Sequence, residues 1–243
     1  MYACSTGSEH VFREFENRLV TGLEGAKWLA IILMACSHCG MAIGGDWLWP
    51  AFWIGRVCAP IFCFLIVARL SEKPLERGPR YLVRLLAWGV LAQIPYSAWT
   101  WNLGFHFNVL PTLAFGVALI WIWEKGYMPV AAALAATFLL AAGYFDLGLI
   151  APPVLLAGYL LYRRSPTASA LFISLGYAAT LTYARPAELI APTICFLVVP
   201  VIAFCSLFSA RLARLPGWVF YAFYPVHIGL IFLYFGALPR IGG

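Results

Sequence analysis

Two ionisable side chains, Lys27 and His38, lie in an otherwise apolar segment near the start of the sequence, eleven positions apart. On an α-helix this spacing puts both on nearly the same face, about 16 Å apart along the axis. If the helix spans a membrane, ionisable groups at that depth usually face a protein interior or a wet cavity. We therefore predict a functional pair, with His38 as a general base or proton carrier. A snorkelling lysine and a structural histidine are the alternatives.

A second histidine, His227, lies near the middle of the last apolar segment. Pro225, just before it, removes one backbone hydrogen bond from the predicted helix. Taken alone, His227 has a structural explanation as well as a functional one. Together with His38 it predicts a polar cavity between the first and the last helix.

Three arginines lie near the ends of apolar segments. Arg56 is about one turn inside its segment, where it serves either as a snorkelling anchor or as a partner for an acidic or anionic group. Arg80 and Arg84 are four positions apart, which places them on one helical face. Membrane topology explains the number of basic residues here, and a phosphate-rich cytoplasmic ligand explains why Arg84 lies a turn into its segment.

Asn108 opens the fourth apolar segment. It is either a hydrogen-bonding group at the outer mouth of a cavity or an interfacial residue, and the sequence alone favours the second. Cys36 and Cys39 form a CxxC pattern, which without a second cysteine or histidine cluster is a weak signal for metal or redox chemistry. We predict no metal site.

The composition defines the elements that must position these residues. Of 243 residues, 63% are hydrophobic and 11% charged, against about 25% charged in soluble domains. This predicts an all-α polytopic membrane protein of about nine transmembrane helices. An N-terminal tail of residues 1–23, with a short amphipathic helix on the cytoplasmic surface, precedes one membrane domain, residues 24–243. The predicted spans start near Glu24, Ala51, Arg80, Phe107, Tyr127, Leu147, Thr167, Glu188 and Gly217, with the sixth interrupted by Pro152 and Pro153.

The net charge of +6 reflects membrane topology and not nucleic-acid binding, because the basic residues cluster in four short loops on one predicted side. The positive-inside rule makes that side cytoplasmic. The N-terminus is then cytoplasmic and the C-terminus periplasmic, with Asp46, His106, Asp146 and Arg185 toward the outer face.

Several short motifs are distributed over most of the chain. They are the segment from Lys27 to Gly40, Gly55-Arg56, Pro60-Ile61-Phe62, the segment from Arg80 to Gln93 with Ile94-Pro95-Tyr96, Asn108-Val109-Leu110 and Phe223-Tyr224-Pro225-Val226-His227. In combination they resemble the TraX family, membrane proteins associated with acetylation of conjugative pilin. The pattern of a basic residue, ten positions and a histidine also resembles the wider superfamily of transmembrane acyltransferases.

The resemblance implies a multi-pass protein of the bacterial inner membrane that uses acetyl-CoA. Lys27, Arg80 and Arg84 are then expected to hold the CoA phosphates, and the pantetheine arm carries the thioester toward His38. His38 is the expected general base, or less readily an acetyl carrier. His227 is the second expected catalytic residue, and the acceptor side is assigned to Arg56, Asn108 and Tyr224.

The expected acceptor is the N-terminal amine of a pilin subunit at the periplasmic face. Three alternatives stay open: a glycan acceptor, a non-catalytic scaffold for pilus assembly or pilin maturation, and a proton-coupled transporter. The transporter is disfavoured because no predicted span has a carboxylate near its middle. In the TraX pattern an Asp commonly precedes the histidine of the first helix, and this sequence has Ser37 there.

Overall fold

The computed structural model of the chain describes residues 7–43, 49–146, 151–184, 197–212 and 216–236. This part is almost entirely helical, and its extended pairing is an isolated bridge between Phe107 and Phe145. The all-α class is therefore confirmed. The helices are α1 (Gly7–Thr21), α2 (Leu23–Ile43), α3 (Trp49–Gly55), α4 (Cys58–Glu72), α5 (Pro74–Thr100), α6 (Val109–Glu124), α7 (Met128–Ala141), α8 (Ala151–Tyr162), α9 (Pro166–Ala184), α10 (Val198–Ser209) and α11 (Gly217–Phe235).

The apolar surface of the bundle identifies a membrane protein. Within the described residues, three stretches are long and apolar enough to cross a membrane: Leu23–Ile43, Pro50–Glu72 and Gly217–Phe235. Helix α5 also presents an exposed apolar stripe that includes Val90 and Ile94, at 71% and 75% exposure. In lipid, such a stripe carries no exposure cost.

Most of the nine predicted span starts lie close to observed helix starts. The span starts near Leu147 and Glu188 lie outside the described residues, as do Asp46 and Arg185. The number of spans and the orientation of the termini therefore stay predictions. The remaining starts each fall within a few residues of an observed helix start, except that α5 begins at Pro74, six positions before Arg80.

The helix break predicted in the sixth span falls at a helix start, and a break that was not predicted lies in the second span. Pro152 and Pro153 lie in the first turn of α8, where a helix tolerates proline because its first N–H groups have no intrahelical acceptor. They therefore lie where α8 begins. Residues 147–150 lie outside the described residues, so the predicted interruption of the sixth span stays a prediction. The observed break lies in the second predicted span, where α3 ends at Gly55 and α4 begins at Cys58.

Helix α2 is the element around which the site is built. It contacts α3, α4, α10 and α11, and it carries both Lys27 and His38. Its closest approach to α3 is at Gly55, where a Cβ atom would lie 2.5 Å from both the Leu33 carbonyl oxygen and the Ser37 Cβ. The absent side chain at residue 55 lets α3 pack directly on α2, next to His38.

Helix α1 packs against the outside of this group. Leu19 is completely buried, and α1 contacts α9 and α10. Ser165, just before α9, donates a hydrogen bond from its hydroxyl group to the Glu16 carboxylate. Val11 and Phe12 remain exposed. The helix predicted in the N-terminal tail is thus present, with one apolar face divided between the bundle and the surface.

Candidate functional site

A cavity of about 200 Å³ lies inside the bundle. Helices α2, α4, α5, α6 and α11 contribute most of its lining. One end is cationic and the other carries His38, with apolar side chains such as Phe62 and Leu113 between them. Because Lys27 and His38 are eleven positions apart on the same helix, the cavity runs for about 16 Å along the α2 axis.

The cationic end is organised by a shared carboxylate. Oε1 of Glu24 lies 2.6 Å from Nζ of Lys27 and 2.7 Å from a guanidinium nitrogen of Arg69. Lys27, Arg69 and Arg84 all line the cavity. Two cations that share one carboxylate leave net positive charge, so this end attracts anions.

At the opposite end, His38 is paired with His227. Nδ1 of His38 lies 2.7 Å from Nε2 of His227, and the two rings are stacked with 11° between their planes. Both histidines are buried, at 9% and 7% exposure. The sequence predicted a polar cavity between the first and the last helix; at this point the two helices are joined by a direct hydrogen bond between the two rings.

The second ring nitrogen of His227 determines which atoms carry the protons. Nδ1 of His227 lies 2.8 Å from the Phe223 carbonyl oxygen, which can only accept. This nitrogen is therefore the protonated one, and Nε2 of a neutral His227 must accept from Nδ1–H of His38. In a neutral His38 ring, Nε2 then keeps its lone pair. The arrangement makes Nε2 of His38 the basic atom of the site.

Tyr224 lies beside the two histidines and lines the cavity. Its ring centroid is 6.3 Å from that of His38. The hydroxyl group is buried and has no hydrogen-bond partner of good geometry among the described residues. A buried hydroxyl without an acceptor is costly, so a ligand oxygen in the cavity would stabilise it.

Arg56 lies in the break between α3 and α4 and lines the same cavity, together with Asp146 and Tyr177. Its guanidinium carbon lies 4.5 Å from the centre of the Phe52 ring. Nε of Arg56 is buried without a hydrogen-bond partner in the part of the chain that the structure describes. A stacked arginine with a spare donor beside a carboxylate can bind a polar or anionic group.

Ser37 lines the cavity next to His38 but is engaged with α3. Its hydroxyl group donates a hydrogen bond of 3.3 Å to the Phe52 carbonyl oxygen. The acceptor of the His38 Nδ1–H is supplied by His227 and not by residue 37. The His38 ring is therefore oriented by a neutral partner, His227, on another helix.

Asn108 has a structural role. It is completely buried, its Oδ1 accepts from the Leu110 amide, and its amide group donates to the Gly89 carbonyl oxygen and to Oε1 of Gln93. Both amide hydrogens are used between α5 and the start of α6. The next two residues, Val109 and Leu110, line the cavity. The substrate-binding role predicted for Asn108 stays a prediction.

Arg80 and Arg84 are placed differently. Arg84 lines the main cavity and also a second cavity of about 220 Å³ on the same side of the bundle. Arg80 lines the second cavity but not the main one. Of the three residues predicted to hold CoA phosphates, Lys27 and Arg84 therefore share one cavity with His38, and Arg80 lies next to it.

Several polar residues of the cavity and its ion pairs are not among the predicted site residues, namely Glu24, Arg69, Asp146 and Tyr177. The sequence analysis has Glu24 only as the start of a span and Asp146 only as a residue toward the outer face. The signal available for Glu24 is its position three residues before Lys27, where helical geometry brings a carboxylate and an ammonium together.

Comparisons with known proteins identify the family of the chain. Residues 23–235 match the family model described as TraX protein. A probable fimbrial assembly protein FimC, serogroup H1, of Dichelobacter nodosus is 29% identical over 229 residues, which cover 84% of this chain and 92% of that protein. No solved structure matches the chain. The matched region begins at the first residue of α2 and ends at the last residue of α11, and so includes both histidines of the buried pair; the chain belongs to the TraX family.

Proposed function

We propose that this protein is a membrane-embedded acetyltransferase, which moves an acetyl group from cytoplasmic acetyl-CoA to an acceptor at the periplasmic face. The observation that carries the proposal is the single cavity that joins a cationic end to a histidine with a basic Nε2. Lys27 and Arg84 supply charge for phosphates at one end, and His38 supplies the base at the other. The name of the fimbrial relative supports a pilin subunit as the acceptor, and the proposed acceptor group is its N-terminal amine.

The length of the cavity suits this donor. The pantetheine arm of CoA has about twelve bonds between its phosphate oxygen and its sulfur, and an extended chain gains about 3.3–3.6 Å for every three bonds, so the arm spans about 13–14 Å. Lys27 and His38 are about 16 Å apart along α2. A CoA molecule whose phosphates lie near Lys27 therefore brings its thioester next to His38, and the apolar lining accommodates the arm.

In the reaction, the acceptor nitrogen attacks the thioester carbonyl carbon while Nε2 of His38 accepts the proton that the nitrogen loses. The carbon–nitrogen bond forms, the carbon–sulfur bond breaks, and the imidazolium of His38 returns the proton to the departing thiolate. His227 holds the His38 ring by accepting from Nδ1–H, the task that a carboxylate performs in serine hydrolases. Because His227 is neutral, it fixes the tautomer without adding a negative charge.

Tyr224 completes this arrangement as a donor to the carbonyl oxygen. Negative charge develops on that oxygen as the tetrahedral intermediate forms, and a buried hydroxyl group without another acceptor is prearranged to stabilise it. Arg56, with Asp146 near it in the same cavity, binds polar groups of the acceptor. Tyr224, Arg56 and Asp146 all line the cavity that holds His38.

A non-catalytic role in pilus assembly is the second candidate, and the name of the fimbrial relative favours it. The two candidates differ in one measurable property. The mass of the pilin subunit is compared, by intact-mass spectrometry, in cells that produce the native protein, the His38→Gln variant or neither. We expect an acetyl-sized mass increase with the native protein alone. Assembled but unacetylated pilin in the presence of the native protein would establish the scaffold role instead.

A glycan acceptor is tested with the purified protein. Membranes that contain the protein are incubated with acetyl-CoA labelled in the acetyl group, and the label is followed into peptide and carbohydrate fractions. The proposed function predicts label in a peptide amine and free CoA in equal amount. Label in carbohydrate would keep the acetyltransferase activity but replace the acceptor.

A further inference from the structure

The second cavity, of about 220 Å³, lies at the cationic end of the main cavity. It is lined by four arginines and one tyrosine, namely Arg69, Arg77, Arg80, Tyr81 and Arg84. Both Arg69 and Arg84, together with Tyr81, line the main cavity as well. The two cavities therefore meet at these three side chains, and one elongated molecule can occupy both.

The charges around the second cavity do not balance. Arg69 is paired with Glu24, and Arg77 with Glu72. In the part of the chain that the structure describes, no carboxylate lies within ion-pair distance of Arg80 or Arg84. Two guanidinium groups thus remain in excess at the wall of a concave site.

The spacing of the two excess arginines adds to this imbalance. Arg80 and Arg84 are one turn apart on α5, where like charges repel each other. A phosphate group with two negative charges would relieve this repulsion and accept the charge-assisted hydrogen bonds that guanidinium groups form best. The pattern favours a ligand with several phosphates, because the arginines are distributed over a cavity and not over a flat surface.

We infer that the second cavity binds the nucleotide end of coenzyme A, with Arg80 at the 3′-phosphate and Arg84 at the diphosphate. This rests on the acetyl-CoA donor of the proposed function. Arg84 lies where the two cavities meet, which is where the diphosphate must lie if the pantetheine arm occupies the main cavity. Arg80 lines only the second cavity and therefore faces the far end of the nucleotide. The protein then selects CoA thioesters over thioesters that lack the 3′-phosphate.

The test compares CoA with dephospho-CoA, which lacks only that phosphate group. Binding of both is measured by calorimetry on the full-length protein in phosphate-free detergent. We expect the native protein to bind CoA about ten-fold or more tightly than dephospho-CoA. The Arg80→Gln variant should lose this preference and keep its affinity for dephospho-CoA, whereas Arg84→Gln should weaken the binding of both ligands.

Arg164→Gln is the matched control, because Arg164 is an exposed arginine in a loop on the same predicted side of the bundle. It should change neither affinity. If the native protein binds CoA and dephospho-CoA equally, or if Arg80→Gln weakens both alike, the inference is wrong and the acetyl-CoA donor still stands. If CoA does not bind at all, the proposed donor is wrong as well.

A lipid headgroup is the other source of phosphate near this cavity. The measurement is therefore repeated in nanodiscs of phosphatidylcholine and in nanodiscs that also contain phosphatidylglycerol. We expect the preference for the 3′-phosphate to persist in both. Loss of the preference in the anionic bilayer would mean that lipid phosphates occupy the cavity, which overturns the inference.

Discussion

Nδ1 of His38 and Nε2 of His227 are 2.7 Å apart, although the two residues are separated by 189 positions in the sequence. This hydrogen bond joins α2 to α11 inside the bundle and leads on to the Phe223 carbonyl oxygen. Its direction follows from the carbonyl group, which can only accept. The same bond therefore connects the two ends of the fold and sets the protonation of the base.

The first prediction concerns His227 as a positioning residue. His227→Phe removes the acceptor of the His38 Nδ1–H, so acetyl transfer should fall about 10²-fold or more and the pH profile should change. His227→Gln can accept through Oε1 and should recover part of the activity.

Transfer rates are measured from pH 6 to 9, roughly the range in which histidine and amine groups titrate. A histidine that only fills space would give equal rates in the Phe and Gln variants, with an unchanged profile. That result would contradict the role assigned to the pair.

The second prediction separates catalysis from stability at Tyr224. Tyr224→Phe removes a buried hydroxyl group that has no good partner, so the melting temperature should stay the same or rise. The transfer rate should fall about 10²-fold, because one donor to the developing oxyanion is lost. Binding of CoA should not change. A variant with normal transfer would show that the hydroxyl does not contact the reacting carbonyl group.

The third prediction concerns the carboxylate at the cationic end. Glu24→Gln removes the negative charge that Lys27 and Arg69 share, so CoA should bind about three- to ten-fold more tightly. Glu14→Gln is the control, since Glu14 forms a similar ion pair with Arg18 on the exposed face of α1. Weaker binding in the Glu24→Gln variant would show that the carboxylate serves mainly to orient the two cations.

The fourth prediction tests the close contact between α2 and α3. A Cβ atom at residue 55 would lie 2.5 Å from the Leu33 carbonyl oxygen, and backbone atoms cannot move aside cheaply. Gly55→Ala should therefore lower the free energy of unfolding by about 1–3 kcal/mol, with a clear drop in the melting temperature. It should also displace the neighbouring Arg56. Gly143→Ala meets nothing within 4 Å and should melt like the native protein. Equal melting of both variants would contradict the observed approach.

The composition and local patterns were sufficient to predict the class of protein and to single out the two histidines. A cation or an imidazole in an apolar segment is conspicuous in the sequence itself, because lipid has no water to solvate it. Because charged residues are excluded from lipid, they mark the ends of apolar runs, and most helix starts could be predicted from those runs. Lys27, His38 and His227 are residues of this kind.

The partners of these residues depended on the tertiary structure. Nothing local to His38 indicates that its Nδ1–H is accepted by His227 and not by residue 37, or that Glu24 bridges Lys27 to Arg69 on another helix. Asn108 also had the pattern of a mouth residue, but its amide hydrogens are used between α5 and α6. The physical reason is that hydrophobic periodicity defines which face of each helix is buried, whereas the identity of the facing side chain depends on how distant helices pack.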